Sequence, residues 1–214
     1  MAGRPFAAQT GQLWTGPGSD SLIYRPVVVR EARLEPNESG LAPGEDGWFV
    51  VNVRETAWLT NEHFGSTCVF EGTEAHFSQL GISLHVLQPG QPNGLYHAES
   101  NQEDFLVLSG ECLLLVEDEE RTLRAWDFVH CPPNTEHIFV GAGDGPCVVL
   151  MTGRRDPERT IVYPASELAR RHSAGVETET SSPAEAYASY PDFQLERPPY
   201  WDELPWSDRR NVSA

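Results

Sequence analysis

Two histidines and two glutamates stand out in this chain by type and spacing: His97, Glu99, Glu103 and His137. Three sit in the segment GLYHAESNQEDFLVLSG, residues 94–110, and the fourth ends the run PPNTEH. Along a strand, residues two apart share a face, so Leu95, His97 and Glu99 point one way and Tyr96 and Ala98 the other. After a short turn through Asn101, the next strand sets Glu103, Phe105 and Val107 on one face. If these strands pair, His97, Glu99 and Glu103 converge at one end of a barrel, and the tight turn before His137 delivers a fourth donor. Imidazole and carboxylate together suit Fe(II), Mn(II), Zn(II) and Ni(II). The expected chemistry is that of one divalent metal ion. The competing reading is an empty polar pocket, in which two neighbouring carboxylates raise each other's pKa.

Secondary candidates for the pocket are Gln102, Phe105, Val107 and His130. Gln102 adjoins Glu103 but has the wrong alternation phase, and it ranks below Glu99. His130 precedes the PPNTEH turn and competes for the pocket, although a structural histidine with a satisfied partner is the commoner case. The other histidines read more plainly. His63 and His76 lie in polar, loop-like stretches, His172 closes a short helix where a cation suits the dipole, and His85 faces away from Ile82, Leu84 and Val86, toward the barrel exterior.

The elements that must hold these residues follow a period of two. Candidate strands are 48–53, 67–71, 82–87, 95–99, 103–108, 111–116, 121–123, 127–131, 137–140 and 146–152. Pro89-Gly90, Pro92-Asn93-Gly94, Ser109-Gly110, Pro132-Pro133-Asn134 and 141–145 separate them as turns, and the acidic run 117–120 reads as a solvated hairpin tip. Many short, closely spaced strands predict an all-β fold, a sandwich or barrel. Leu, Ile, Val and Phe number 32 in residues 48–153 and only 17 in the remaining 108 positions, so the core belongs to the middle. The expected organisation is an N-terminal arm (1–45, its first 21 residues mobile), a barrel (46–153) and a C-terminal extension (154–214). Val27 to Arg33 offers an edge strand. Pro164 to His172, capped by Ser166, and Pro183 to Tyr190 offer short helices. The aromatic tail from Phe193 to Trp206 suits an apolar patch of its own barrel or of a neighbouring subunit.

At the four donor positions the chain resembles the cupin superfamily. The first cupin motif is Gly, five residues, His-x-His, three or four residues, Glu, six residues, Gly. His97 stands at its first histidine, Glu103 at its glutamate and Gly110 at its last glycine. In the second motif, Gly, five residues, Pro-x-Gly-x-x-His-x-x-x-Asn, the residues Pro132, Asn134 and His137 fall at the Pro, Gly and His positions. The resemblance covers residues 80–152 and implies an RmlC-like jelly-roll barrel, a double-stranded β-helix, with a metal held by three histidines and one glutamate. This chain departs from it. Glu99 replaces the second histidine, the first glycine is displaced to Gly90 or Gly94, Asn134 replaces a glycine, and Gly141 stands for the terminal asparagine. Asparagine tolerates the left-handed backbone that the glycine would take. With Glu99 as a ligand, two imidazoles and two carboxylates would cancel the charge of a divalent ion, whereas the usual set leaves it +1.

The family includes dioxygenases, decarboxylases and sugar isomerases, so the fold selects no reaction. The expectation is a metal-binding cupin acting on, or binding, a neutral or weakly polar small molecule. A metal-free binding module and a sugar isomerase-type enzyme are the alternatives. The neutral ligand follows from the cations: the chain carries 15 basic against 32 acidic residues, net −17, and every basic residue is arginine. Without lysine there is no Schiff-base chemistry and no Gly-Lys-Ser/Thr phosphate loop. Arg121 and Arg124 lie remote from the barrel mouth, leaving Arg54, Arg154 or Arg155 for any anion. The acidity argues against nucleic acid and anionic membranes, and no apolar run is long enough to cross a bilayer. No apolar leader precedes Trp14, so the expected compartment is the cytoplasm, with Cys68, Cys112, Cys131 and Cys147 reduced and the sequons at Asn37 and Asn211 unused. Central strands such as 103–108 are apolar on both faces, so the outer face needs a cover: the flanking arms, a second sheet or, most simply, the other half of a homodimer.

Overall fold

The structure, a computed structural model, describes residues 29–207. The segment 1–21 expected to be mobile, the first two residues of the 27–33 edge strand and Asn211 fall outside that range. Two short strands, β1 (Leu34–Pro36) and β2 (Leu41–Pro43), form a hairpin ahead of the barrel. The barrel strands are β3 (Ala57–Asn61), β4 (Gly65–Val69), β5 (Leu80–Leu87), β6 (Ala98–Glu99), β7 (Glu103–Ser109), β8 (Glu111–Val116), β9 (Glu119–Arg124), β10 (Phe128–Cys131), β11 (His137–Ala142) and β12 (Cys147–Arg154). After them come β13 (Ile161–Val162), α1 (Glu167–Arg171), α2 (Pro183–Ala186), β14 (Gln194–Leu195) and a 3₁₀ turn at Trp201–Glu203. A large antiparallel sheet, β10-β7-β12-β5-β4-β3-β14, faces a smaller one, β11-β8-β9, and β6 pairs with β13 at one end. This is the all-β double-stranded β-helix.

The two sheets close over an interior that includes Leu87, Phe105, Val107, Leu114, Phe139 and Val149. Strand alternation then turns Leu84, Val86, Val148 and Leu150 outward, and the C-terminal segment covers them: Leu204, Trp201 and Trp206 pack on this face and against Trp58. On the opposite side Leu113, Leu115, Ile138 and Val140 point out and meet Leu168 and Ala169 of α1. On these two faces, the cover that two-sided apolar strands need comes from the same chain. It also reverses the expected direction of His85. The apolar row Ile82–Leu84–Val86 is the outer one, and His85 turns into the barrel beside Thr67.

Turn chemistry fixes the register. Glu117 and Asp118 take φ of 48° and 61°, the conformation a two-residue hairpin needs, and this acidic tip joins β8 to β9. Gly110 takes φ +73° between β7 and β8, where a Cβ would meet Pro146 O at 2.6 Å. Asn134 takes φ 68°, supplying the left-handed residue at a position where a glycine was expected. The expected strand 48–53 does not form. Trp48 makes one bridge to Glu31, and Asn52 accepts the amide of Arg54 on its side chain and those of Glu55 and Thr56 on its carbonyl, turning the chain before β3. The 95–99 strand shortens to Ala98–Glu99 plus a bridge at His97, and of the 27–33 edge strand the described residues 29–33 show only the Glu31 bridge to Trp48. Both predicted helices form but are short, with Ser166 and Ser182 accepting hydrogen bonds from the first-turn amides of Ala169 and Glu185.

The tail should contribute to stability in measurable amount. Leu204 is 2% exposed among Trp58, Trp201 and Trp206, so Leu204→Ala is expected to lower the unfolding free energy by about 3 kcal/mol in chemical denaturation. An unchanged midpoint would mean that the tail does not hold this face closed.

Candidate metal centre

A cavity of about 420 Å³ opens at the end of the barrel where β6, β7 and β11 meet. His97 and His137 face each other across an isolated antiparallel bridge: each backbone N–H donates to the other's carbonyl, at 3.2 and 2.9 Å. That pairing sets the two imidazoles side by side, ring centres 5.1 Å apart. Their tautomers follow from the acceptors behind them. His97 Nδ1 lies 2.7 Å from Leu95 O and His137 Nδ1 lies 3.0 Å from Thr135 O. A carbonyl only accepts, so both Nδ1 atoms carry the proton and both Nε2 atoms present a lone pair.

Glu103 comes from the first residue of β7, opposite Cys131 of β10, and its Oε2 lies 3.6 Å from His137 Nε2. One donor atom each from His97, Glu103 and His137 falls within 4.8 Å of the others. Phe105 and Phe139 pack against the His137 ring and fix it from below. Burial, the Glu99 charge second, pushes the Glu103 carboxyl up to about 7, against a smaller opposing pull from Arg159. Burial, with His97 second, pulls His137 down to about 4, and burial also lowers His97. The site therefore holds its histidines neutral and its glutamate easily protonated, each the less costly form without a counter-charge. A divalent cation reverses the balance at Glu103 and needs the histidines as they are. The donor set fits such an ion.

Glu99, the fourth sequence candidate, is 9% exposed and lines the same cavity, but its Oε1 accepts a 2.8 Å hydrogen bond from Arg159 Nη1. Phe105 lines the cavity, whereas Val107 lies deeper, in the closed apolar interior. Gln102 and His130 lie outside it. Register pairs His130 with Asp104, on the opposite face from Cys131 and Glu103, and Asp104 takes His130 Nδ1 at 2.6 Å and Gln102 Nε2 at 2.6 Å. Among the cavity residues that sequence reasoning missed, two are ionisable and central to the site, His85 and Arg159. His85 was hidden because both faces of its strand are apolar, and Arg159 lies beyond the last barrel strand, where no motif points to it. Among the other histidines, His63 is half-buried against Phe64 and Tyr190 instead of exposed, and His172 bonds Glu120.

Residues 83–153 match the family described as "Cupin domain". This segment is a cupin. No curated protein matches the chain. Among solved structures, this chain is similar to a provisional sugar phosphate isomerase from Acidithiobacillus ferrooxidans, at 30% identity and TM-score 0.39, over 40% of this chain and 56% of that one. A sugar phosphate isomerase from a cupin superfamily of Silicibacter pomeroyi matches at 24% identity and TM-score 0.45, over 52% of this chain and 79% of that one. An RmlC-like cupin with a double-stranded β-helix fold from Methanocaldococcus jannaschii matches at 15% identity and TM-score 0.37, over 48% and 84%. The chain's four cysteines are all free and buried, and among the described residues no helix is long and apolar enough to cross a membrane.

The raised pKa of Glu103 has a direct thermodynamic signature. Below about pH 7 the carboxyl is protonated, and a cation must expel that proton; above it the carboxylate is already formed. Mn(II) titrated calorimetrically in buffers of different ionisation enthalpy is expected to release about one proton at about pH 6 and almost none at about pH 8.5. Affinity should rise about tenfold per pH unit below 7 and then level off. Proton release independent of pH would remove Glu103 from the site.

Proposed function

We propose that this protein is a metal-dependent cupin whose barrel cavity binds a small molecule at a divalent ion held by His97, Glu103 and His137. The observation that carries this reading is the pair of main-chain carbonyls, Leu95 O and Thr135 O, that engage both Nδ1 atoms, with His137 Nε2 3.6 Å from Glu103 Oε2 and one donor atom of each of the three residues within 4.8 Å of the others. A structural histidine pair would spend both ring nitrogens on hydrogen bonds; here neither Nε2 has a hydrogen-bond partner among the described residues, as a metal ligand requires. When bound, the ion supplies Lewis acidity to a ligand oxygen.

The chain's own residues do the rest. Phe105 and Met151 close the inner end of the cavity and keep bulk water from the donors. Thr67, Ser83, His85 and Asn93 line its wall, offering hydrogen bonds to a polar ligand. Burial pulls His85 down to about 4, so at neutral pH it is an uncharged hydrogen-bonding group. A volume of about 420 Å³ suits a metabolite-sized molecule and excludes a polymer. Donors of this kind serve several first-row ions, so Fe, Mn, Zn and Ni all remain in the proposal.

Metal quantification on purified protein tests the assignment. His137→Ala and Glu103→Ala are each expected to reduce bound metal to trace levels, while His130→Ala, on the outer face, leaves it unchanged. Equal metal in all four proteins would eliminate the site.

A further inference from the structure

We infer that the cavity's ligand is a small anion, a carboxylate or a phosphate, and that Arg159 is the residue that recognises it, held over the opening by Glu99. The inference rests on the metal-centre reading above for the ion's charge, but the arginine geometry stands independently of it. Three arginines line the cavity, and they differ in what they are free to do. Arg155 is committed: its Nη1 and Nη2 donate to both oxygens of Glu71, and Nη1 also donates to Phe77 O. Arg154 is 68% exposed and pairs with Asp156 at 3.0 Å. Arg159 donates once, from Nη1 to Glu99 Oε1, and has no other side-chain partner among the described residues. Its side chain is 48% exposed and lines the cavity, at the boundary with solvent. A planar fork with most of its N–H donors unused is suited to a carboxylate or phosphate.

The segment bearing Arg159 is anchored beside the site. Its amide bonds Asp156 O, Thr160 exchanges two hydrogen bonds with Ser100, and Ile161 pairs with Glu99 across β13 and β6. The carboxylate that orients the guanidinium is thus two residues from His97, on the short strand β6 that follows it. This accounts for the glutamate where a histidine is usual: Glu99 serves Arg159 as counter-ion instead of serving the metal.

Charge arithmetic gives the consequence. With Glu99 as a ligand, two carboxylates would cancel a divalent ion. With Glu99 neutralised by Arg159, the ion keeps +1 after Glu103, and the cavity becomes a local positive site in a chain of net −17. An anion has no comparable place elsewhere on the cavity wall, since Arg155 is already spent on Glu71. The sequence-based expectation of a neutral ligand counted Arg54, Arg154 and Arg155 as the cations within reach and did not include Arg159.

Binding of malonate and of inorganic phosphate, with malonamide as the uncharged counterpart of malonate, tests this by calorimetry on Mn(II)-loaded protein. Wild type is expected to bind at least one of the two anions and to prefer malonate to malonamide; which anion binds more tightly distinguishes carboxylate from phosphate. Arg159→Gln should weaken anion binding by about tenfold or more, Arg159→Lys by less, and neither should change metal content. Glu99→Gln should keep its metal, unlike His137→Ala. Anion affinity equal in wild type and Arg159→Gln, or loss of metal from Glu99→Gln, would overturn the assignment. If wild type holds no metal but Arg159→Gln still loses anion binding, the metal reading fails and the role of Arg159 stands.

Discussion

The backbone bridge between His97 and His137 is the constraint on which the site depends. Two residues forty positions apart exchange both of their main-chain hydrogen bonds, and their side chains have no choice but to leave the same side of the sheet. The carbonyls of Leu95 and Thr135, each two residues upstream of its histidine, then take the Nδ1 protons. The geometry of two imidazole lone pairs is thereby written into main-chain atoms, which are harder to displace than side chains. Glu103 needs only to start the next strand on the inward face.

A polar constellation at the end of a closed apolar interior carries a cost. Neutral histidines and a carboxyl shifted to about 7 are the forms that minimise it. Glu99 avoids the same cost differently, by pairing with an arginine from outside the barrel. Two carboxylates close together on adjoining strands thus have different environments and different roles, one able to meet an ion and the other already met.

The fold was legible because barrels announce themselves in short alternating strands and turn residues, and the two motifs carried the histidines and Glu103 at fixed offsets. Asn134 was readable for a physical reason, since few residues other than glycine accept its backbone conformation. What could not be read was direction and cover. Strands β5 and β12 are apolar on both faces because the tail packs outside them, so alternation alone could not say which way His85 points. His130 and Gln102 were displaced by Asp104, an outward carboxylate whose two partners only the register reveals. Arg159 was invisible for the same kind of reason: it reaches Glu99 across sixty residues, through strand pairing that no local pattern encodes.

The central claim is that His97, Glu103 and His137 share one ion through the two Nε2 atoms and a carboxylate oxygen. Anomalous diffraction from crystals grown with Mn(II) or Fe(II), recorded at the metal edge, addresses it most directly. The account predicts a single strong peak in the barrel cavity, within bonding distance of both Nε2 atoms and Glu103, with Glu99 still turned to Arg159. A cavity without a peak, or an ion bound elsewhere while the Nδ1 hydrogen bonds persist, would contradict it.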